Sequence, residues 1–236
     1  MRLLLISNST MPGEKYLDYP LGEFDHFWGP QPTEALFIPY AAVTFSFDEY
    51  ERKVNESFKK IGHSVKGIHH FDDPIKAVKE AGIIITGGGN TWQLVRMLHQ
   101  QKLMNVIREK VQAGIPYAGW SAGSNISCPT LCTTNDMPVV DPMGFTTLNL
   151  IPFQINPHYT DANPAGHGGE TRQQRIEEYI TLNPATYVVG LREGTMLNVD
   201  NDKIKLSGIR PARLFKNGTT PTEYEPGADL SFLLKN

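Results

Sequence analysis

The pentapeptide Gly-Trp-Ser-Ala-Gly at residues 119–123 is the part of the sequence best suited to chemistry. It follows the short run 115–118, which predicts a buried strand, and it precedes residues 124–127, which can begin a helix. A glycine-flanked serine between a strand and a helix is typical of a nucleophile elbow, whose sharp turn lifts the Ser121 hydroxyl above the sheet. The helix that begins there points backbone N–H groups at developing negative charge. A plain strand-to-helix turn that holds a serine is the alternative.

A serine nucleophile needs a base, usually histidine, and the base needs a carboxylate to orient it. His158 follows the elbow in the sequence Asn-Pro-His-Tyr, within a loop-rich stretch, and is the candidate base. The pair His69 and His70 competes with it, because this pair ends a strand at the functional edge of the predicted sheet. The remaining histidines have surface-like neighbours: His26, His63, His99 and His167.

Two carboxylates compete as the orienting acid. Asp136 lies in an irregular loop before Met-Pro, so it can also be a turn residue. Glu193 follows the apolar strand predicted at 187–189, so it can also be a solvated strand end. Residue order in the α/β-hydrolases favours Asp136, whereas a rigid place at the same sheet edge as Ser121 favours Glu193. We expect Glu193 to orient His158 and Asp136 to bind substrate.

The glycine triplet 87–89 follows another predicted strand, so it belongs to the same sheet edge. It matches neither the dinucleotide-binding nor the P-loop fingerprint, because Trp92 occupies the last glycine position and no lysine follows. Beside a serine nucleophile, the triplet suits an oxyanion hole formed by the N–H of Ala122 and that of Gly88 or Gly89. A simple turn and a phosphate cradle are the alternatives.

Arg172 and Asn90 join Asp136 as candidate substrate-binding residues. Asn90 matches the cap of the helix that follows the glycine triplet. Arg172 lies in the first turn of a helix capped by Thr171, where a cation opposes the helix dipole by a few tenths of a kcal/mol. Its position on the apolar face suggests that an anion binds there. An internal salt bridge to Glu170 is the alternative.

The elements that must hold these residues alternate between strand and helix. Short apolar runs predict strands at 3–6, 36–39, 65–68, 83–85 and 115–118. Helical spacing predicts helices over 47–61, from 74, from 91, around 106–111 and from 172. Residues 19–32 permit no assignment, residues 128–170 are rich in loops, and hairpins follow residue 194. This order indicates an α/β three-layer sandwich around a mostly parallel sheet, with C-terminal hairpins.

Composition limits the functions that are available. A chain of 236 residues forms one large domain or two small ones, and its net charge of -3 argues against a nucleic-acid partner. Cys128 and Cys132 are too close for a disulfide framework and suit small core residues in a reducing compartment. No apolar run is long enough for a signal peptide or a membrane span. We expect a soluble cytoplasmic protein without a metal or other cofactor.

Five motifs in this order resemble the peptidase E family of α-aspartyl dipeptidases: Gly-Gly-Gly-Asn-Thr at 87–91, Gly-Trp-Ser-Ala-Gly at 119–123, Thr-Thr-Asn-Asp-Met-Pro at 133–138, Asn-Pro-His at 156–158 and Gly-Glu-Thr-Arg at 169–172. Segments 4–10 and 191–194 match too. The resemblance covers nearly the whole chain. It implies one catalytic domain over 1–236, with a fold like that of the class I glutamine amidotransferases. It also implies cytoplasmic, metal-independent hydrolysis of small peptides with an N-terminal aspartate.

The resemblance also implies roles for individual residues. Ser121 would be the nucleophile, His158 the base and Arg172 the partner of the substrate's aspartate side chain. The third member of the triad stays open between Asp136 and Glu193.

Two features depart from the family pattern. Arg192 stands where we expect proline, beside Glu193, and residues 19–32 look different and can alter the site entrance or an interface. A cyanophycinase-like β-aspartyl hydrolase is the nearest rival function, but it needs an acidic pocket and residues 128–170 offer few acids. A non-catalytic small-anion-binding protein is the rival from another class. For the enzyme we expect a monomer or homodimer with no nucleic-acid or membrane partner.

Overall fold

The structure is a computed structural model that describes residues 1–162, 166 and 168–235. Within these residues the strands are β1 (Arg2–Ile6), β2 (Glu34–Ile38), β3 (Ser64–Gly67), β4 (Ile84–Thr86), β5 (Tyr117–Trp120), β6 (Gln154–Tyr159), β7 (Val188–Arg192), β8 (Thr195–Asp200), β9 (Lys203–Gly208), β10 (Ala212–Phe215) and β11 (Thr222–Tyr224). The α-helices are α1 (Leu21–Trp28), α2 (Phe47–Phe58), α3 (Pro74–Glu80), α4 (Thr91–Gln100), α5 (Leu103–Gln112), α6 (Ala122–Asn125) and α7 (Arg172–Leu182). Short 3₁₀ helices cover Lys59–Ile61, Ile68–His70 and Ser231–Lys235.

A seven-stranded sheet in the order β3-β2-β4-β5-β1-β8-β9 forms the centre of the fold. Its first five strands run parallel, and β8 and β9 complete it as an antiparallel hairpin. The predicted α/β class, the mostly parallel sheet and the hairpin after residue 194 are therefore confirmed. The carboxyl ends of β4 and β5 lie side by side, because Thr86 pairs with Gly119.

Alternate side chains of each strand enter different layers, as expected for a sheet covered on both faces. In β1, Leu3 and Leu5 join one apolar cluster, and Leu4 and Ile6 join the other. The first cluster also includes side chains of α3, α4 and α5, and the second includes those of α1 and α2. The sheet is therefore the middle layer of a sandwich.

Helix α1 occupies the segment 19–32, which the sequence left unassigned. Its phenylalanine Phe24 is fully buried, with its ring 4.9 Å from that of Phe58 and 6.2 Å from that of Trp120. Trp120 precedes the elbow serine, so this helix supports the strand that carries Ser121. The N-cap Pro20 makes no side-chain cap hydrogen bond, which explains why capping patterns did not reveal the helix.

A second, four-stranded sheet in the order β11-β10-β7-β6 contains His158 and ends at Glu193. The sequence did not predict this sheet. It placed His158 in a loop and Glu193 at the edge of the main sheet, and both placements were wrong. Strand β6 was missed because Pro157 and a bulge between Pro157 and Tyr159 interrupt its pattern. Helix α7 packs on this sheet through Ile176 and Ile180.

Three smaller expectations also have an outcome. Cys128 is buried as predicted, but Cys132 is exposed, so it is not a core residue. His63 is buried rather than surface-like, and its Nδ1 accepts a hydrogen bond from the Thr33 N–H. His167 lies outside the described residues. No helix in the described part of the chain is both long and apolar enough to cross a membrane.

Replacing Phe24 by alanine tests whether α1 supports the elbow strand. Loss of a fully buried phenylalanine from an aromatic cluster is expected to lower the free energy of unfolding by about 3–5 kcal/mol. Urea unfolding followed by circular dichroism measures this change. Phe24→Leu keeps most of the apolar volume and serves as the milder control. A loss below about 1 kcal/mol for Phe24→Ala would mean that α1 is not packed as described.

Candidate active site

Ser121 lies at the turn between β5 and α6, with backbone angles of φ 52° and ψ -112°. A positive φ is rare for a residue with a side chain and marks local strain. The turn is held because the Ser121 N–H donates to the Ile6 carbonyl at 3.0 Å. Glycine is required on both sides: a Cβ on Gly119 would lie 2.5 Å from the Gly123 backbone, and a Cβ on Gly123 would lie 2.2 Å from the Thr86 carbonyl oxygen.

His158 and Glu193 approach this serine from the second sheet. The Nε2 atom of His158 lies 3.0 Å from Ser121 Oγ, and its Nδ1 lies 2.8 Å from Glu193 Oε1. The backbone at His158 has φ 53°, at the bulge in β6. Glu193 follows the end of β7 and precedes Gly194, whose positive φ permits the turn into β8. The structure thus brings together a hydroxyl, an imidazole and a carboxylate in one hydrogen-bonded chain.

Ser7, at the end of β1, connects the two sheets at this point. Its hydroxyl donates to the Leu191 carbonyl at 2.7 Å and accepts from the His158 N–H at 2.9 Å. Its own N–H donates to the Thr195 carbonyl. Sequence reasoning missed Ser7, although its place at the carboxyl end of a central parallel strand was a usable signal.

Asn8, the residue after Ser7, connects the end of β1 to the turn between β7 and β8. Its Oδ1 accepts from the Gly194 N–H at 2.8 Å and from the Tyr19 hydroxyl, also at 2.8 Å. Burial raises the pKa of Tyr19, and the nearby Glu193 charge raises it further, so the hydroxyl stays a donor. The unassigned segment therefore reaches the turn beside Glu193 through Tyr19.

The predicted oxyanion-hole donors surround the serine. Gly88 packs so closely that a Cβ on it would lie 3.0 Å from Ser121 Cβ, and Gly89 has φ +135°. Among the described residues, no protein atom accepts a hydrogen bond from the N–H of Gly88, Gly89 or Ala122. Tyr50 fixes the triplet by donating to the Gly88 carbonyl at 2.9 Å. These N–H groups are thus free for an anion.

Asp136 does not contact His158 by a hydrogen bond within the described residues. Its Oδ2 accepts from the Thr91 N–H at 2.7 Å, from the Thr91 hydroxyl at 2.6 Å and from the Thr134 hydroxyl at 3.1 Å. The carboxylate therefore caps the N-terminus of α4, a position that favours negative charge. Its Oδ1 accepts no hydrogen bond in the described part of the chain.

The side chain of Asn90 makes two hydrogen bonds to other residues of the protein. Its Oδ1 accepts from the Gln93 N–H at 3.1 Å, which confirms the predicted cap, and its Nδ2 donates to the Met137 carbonyl. Asn90 thus fixes the loop that carries Asp136 against α4. Its role as a direct substrate ligand stays a prediction.

Arg172 is half-buried at the start of α7, as its capping box predicted. The alternative salt bridge to Glu170 is not formed, because Glu170 faces Arg175, with 3.6 Å between Oε2 and Nε. Among the described residues Arg172 has no ion-pair partner. Burial lowers its pKa and the Arg175 charge lowers it further, while Asp136 raises it. Its role in binding the substrate stays a prediction.

Arg192 precedes Glu193 in the sequence, but its guanidinium forms ion pairs with two other carboxylates. Its guanidinium pairs with Asp161 at 2.6 Å and with Glu223 at 2.7 Å, and these partners raise its pKa. The hydrogen bonds to Glu223 are the largest cause of that shift. Arg192 therefore ties together neighbouring parts of the second sheet.

The competing histidines and the buried Cys128 thiol lie elsewhere. His69 and His70 face Asp48 and Glu51 on α2 instead of Ser121. Burial raises the pKa of the Cys128 thiol to about 12, so it stays protonated and unreactive.

Ser121, His158 and Asp136 line a common cleft of about 360 Å³. Its walls also include Gly88, Gly89, Ser9, Tyr16, Phe45, Tyr50, Lys53 and Trp120. The cleft thus combines the hydrogen-bonded chain, the free N–H groups and charged side chains of both signs.

The chain is similar to known peptidases over nearly its whole length. The family model for peptidase family S51 matches residues 3–207. Peptidase E of Nostoc sp. is 49% identical over 234 residues, covering 99% of this chain and 97% of the relative. Peptidase E of Salmonella paratyphi A is 45% identical over 227 residues, covering 96% and 99% respectively.

A solved structure is similar in fold. The crystal structure of a peptidase from an acI-B1 actinobacterium superposes with a TM-score of 0.70, covering 98% of this chain and 96% of that one. Its sequence identity is 20%, so this likeness bears on the fold alone.

Ser7→Ala tests whether the link between the sheets holds His158 in position. We expect diisopropylphosphorylation of Ser121 by diisopropyl fluorophosphate, with loss of fluoride and followed by mass spectrometry, to slow by roughly tenfold, the equivalent of one lost hydrogen bond. Thr147→Val removes another buried hydroxyl, one that donates to the Cys128 carbonyl, and is the matched control. An unchanged rate in Ser7→Ala, or an equal decrease in Thr147→Val, would contradict this role.

Proposed function

The chain belongs to peptidase family S51 and is a serine peptidase, and on that premise we propose that it hydrolyses dipeptides whose first residue is aspartate. The observation that carries the proposal is the half-buried Arg172 guanidinium at the start of α7, which has no ion-pair partner in the described residues. An anionic side chain of a substrate would supply the missing partner.

In the proposed reaction Ser121 attacks the carbonyl carbon of the aspartyl residue. His158 takes the serine proton at Nε2 and returns it to the leaving amine, while Glu193 holds the ring through Nδ1. The distances of 3.0 and 2.8 Å along this chain support these roles. Water activated by His158 then hydrolyses the acyl-enzyme.

The oxyanion of the tetrahedral intermediate would bind to the N–H of Ala122 and to that of Gly88 or Gly89. Their lack of protein acceptors in the described residues supports this assignment. Tyr50 would keep the glycine triplet in place, because its hydroxyl contacts the Gly88 carbonyl. Burial raises the pKa of Tyr50 to about 12, so it remains a neutral donor at physiological pH.

Three charged side chains suit the charged groups of an aspartyl dipeptide, and two of them, Asp136 and Lys53, line the cleft. Asp136 Oδ1, without a donor among the described residues, would bind the substrate's α-ammonium group. Arg172 would bind the side-chain carboxylate. Lys53, which lines the cleft with its ammonium 4.1 Å from the Tyr16 ring centroid, offers a cation to the C-terminal carboxylate.

We propose that residues 1–236 act as one catalytic domain, because one apolar cluster includes side chains of both sheets. A cytoplasmic location and a monomeric or homodimeric state rest on the resemblance to peptidase E.

Arg172→Met tests the substrate class. We expect kcat/KM for Asp-Leu to fall about 10²-fold or more, because a charge-assisted contact is lost from a desolvated site. Residual cleavage of Asn-Leu should change little, since that substrate has no side-chain charge. Arg175→Met removes the neighbouring exposed arginine of α7 and is the matched control, and Ser121→Ala gives the background.

Equal losses on Asp-Leu and Asn-Leu would make Arg172 structural. Cleavage of β-Asp-Arg in place of Asp-Leu would favour the β-aspartyl hydrolase, and binding without any turnover would favour the anion-binding protein.

Glu193→Gln and Asp136→Asn separate the orienting acid from the substrate anchor. We expect Glu193→Gln to lower kcat on Asp-Leu by a factor on the order of 10³ with little change in KM, because the amide no longer stabilises the imidazolium. Asp136→Asn should act mainly by raising KM. Steady-state kinetics of both variants on this substrate decide the assignment, and the opposite pattern would reverse it.

A further inference from the structure

Asp48, His69 and His70 form a compact group away from the cleft. His69 and His70 belong to the 3₁₀ helix that follows β3, and Asp48 lies in the first turn of α2. Among the described residues this is the one group of three metal-ligating side chains whose donor atoms all lie within 4.8 Å of one another. Glu51 lies one helical turn beyond Asp48, and its Oε2 is 2.7 Å from His70 Nε2.

Two of the four distances between donor atoms are close to those around a single small cation, and the 2.7 Å between His70 Nε2 and Glu51 Oε2 and the 3.0 Å between His69 Nε2 and Asp48 Oδ1 would lengthen on binding. His69 Nε2 lies 3.0 Å from Asp48 Oδ1 and 3.7 Å from Glu51 Oε2. His70 Nε2 lies 3.5 Å from the same Asp48 oxygen. Ligands bound tetrahedrally to zinc at about 2.0–2.2 Å are separated by about 3.3–3.5 Å. We propose that His69, His70 and Asp48, with Glu51 as the fourth ligand, bind one Zn²⁺ ion.

The donor types select the class of metal. Two imidazoles with one or two carboxylates suit zinc and its transition-metal neighbours, whereas Mg²⁺ and Ca²⁺ prefer oxygen ligands throughout. Asp48 is exposed at 75% of its side-chain surface and can rotate to complete the coordination, while Glu51 is 18% exposed and fixed.

Gly67 leaves room for the side chains of this group and orients one of them. The Gly67 N–H donates to Glu51 Oε2 at 3.1 Å, which orients that carboxylate as outer contacts orient metal ligands. A Cβ on Gly67 would lie 2.1 Å from His69 Cε1 and 2.6 Å from Glu51 Oε2, so only glycine leaves room for both side chains. The His69 and His70 rings lie 4.0 Å apart, with both Nε2 atoms directed at the α2 carboxylates.

An ion at this position would fasten the first turns of α2 to the end of β3. The same helix carries Tyr50 and Lys53, which line the cleft. The ion would therefore stabilise one wall of the cleft and take no part in the chemistry of Ser121. This inference does not depend on the proposed substrate.

Zinc binding to the full chain, stripped with EDTA and dialysed, tests the site. Isothermal titration with Zn²⁺ is expected to give one ion per chain and a higher Tm, and Co²⁺ is expected to give the absorption of a tetrahedral complex. His69→Gln/His70→Gln should weaken zinc binding by about 100-fold or more, beyond the loss typical of outer contacts. Gly67→Ala should weaken it too. His99→Gln, a histidine outside the group, should not.

Several outcomes are decisive. Circular dichroism of the zinc-free variants checks that they are folded. Treatment with EDTA should leave hydrolysis by the wild-type chain unchanged. Failure of folded wild-type protein to bind zinc would overturn the proposal. Equal binding by the wild type and the double variant would also overturn it. Binding that is lost in His158→Ala instead would place the ion in the cleft and refute the assignment to His69 and His70.

Discussion

The Ser7 hydroxyl is the contact on which the site depends, because Ser121 and its partners come from different sheets. Strand β5 of the main sheet carries Ser121, whereas the second sheet carries His158 and leads to Glu193. Ser7 directly follows β1, which pairs with β5, and its hydroxyl oxygen contacts two strands of the second sheet, β7 at the Leu191 carbonyl and β6 at the His158 N–H. A hydroxyl can do this because it donates and accepts at once. The distance between His158 and Ser121 is thereby set by a buried backbone contact as well as by the side chains.

The residues at the end of β1 also stabilise the strained backbone conformations of Ser121 and His158. Ser121 and His158 both have positive φ, a conformation that costs of order 1–3 kcal/mol per residue without glycine. Each has its backbone N–H fixed by the end of β1, at the Ile6 carbonyl and the Ser7 hydroxyl. The two strained residues therefore share one rigid support in the middle of the main sheet.

The sequence predicted best where function coincides with a regular element. The elbow, the glycine triplet and the caps of α4 and α7 follow from local patterns, and all lie as expected. Glu193 meets His158 although the reason given for it was wrong, since it extends from the second sheet. That sheet mixes parallel and antiparallel pairings and includes the bulge at His158, so no single period marks it. The long-range contacts of Ser7 and Tyr19 leave no periodic pattern in the sequence, and only the place of Ser7 after a central strand pointed to the site.

The position of Asp136 explains why a second carboxylate can lie in the cleft without competing for His158. Three donors at the start of α4 and on Thr134 bind its Oδ2, so its charge is balanced by that helix terminus. Within the described residues Glu193 lies at no helix N-terminus and accepts from the imidazole instead. The two anions thus have separate partners. Under the proposed function, the side-chain carboxylate of a substrate would give the half-buried Arg172 guanidinium a partner, whereas a neutral side chain would leave it without compensation.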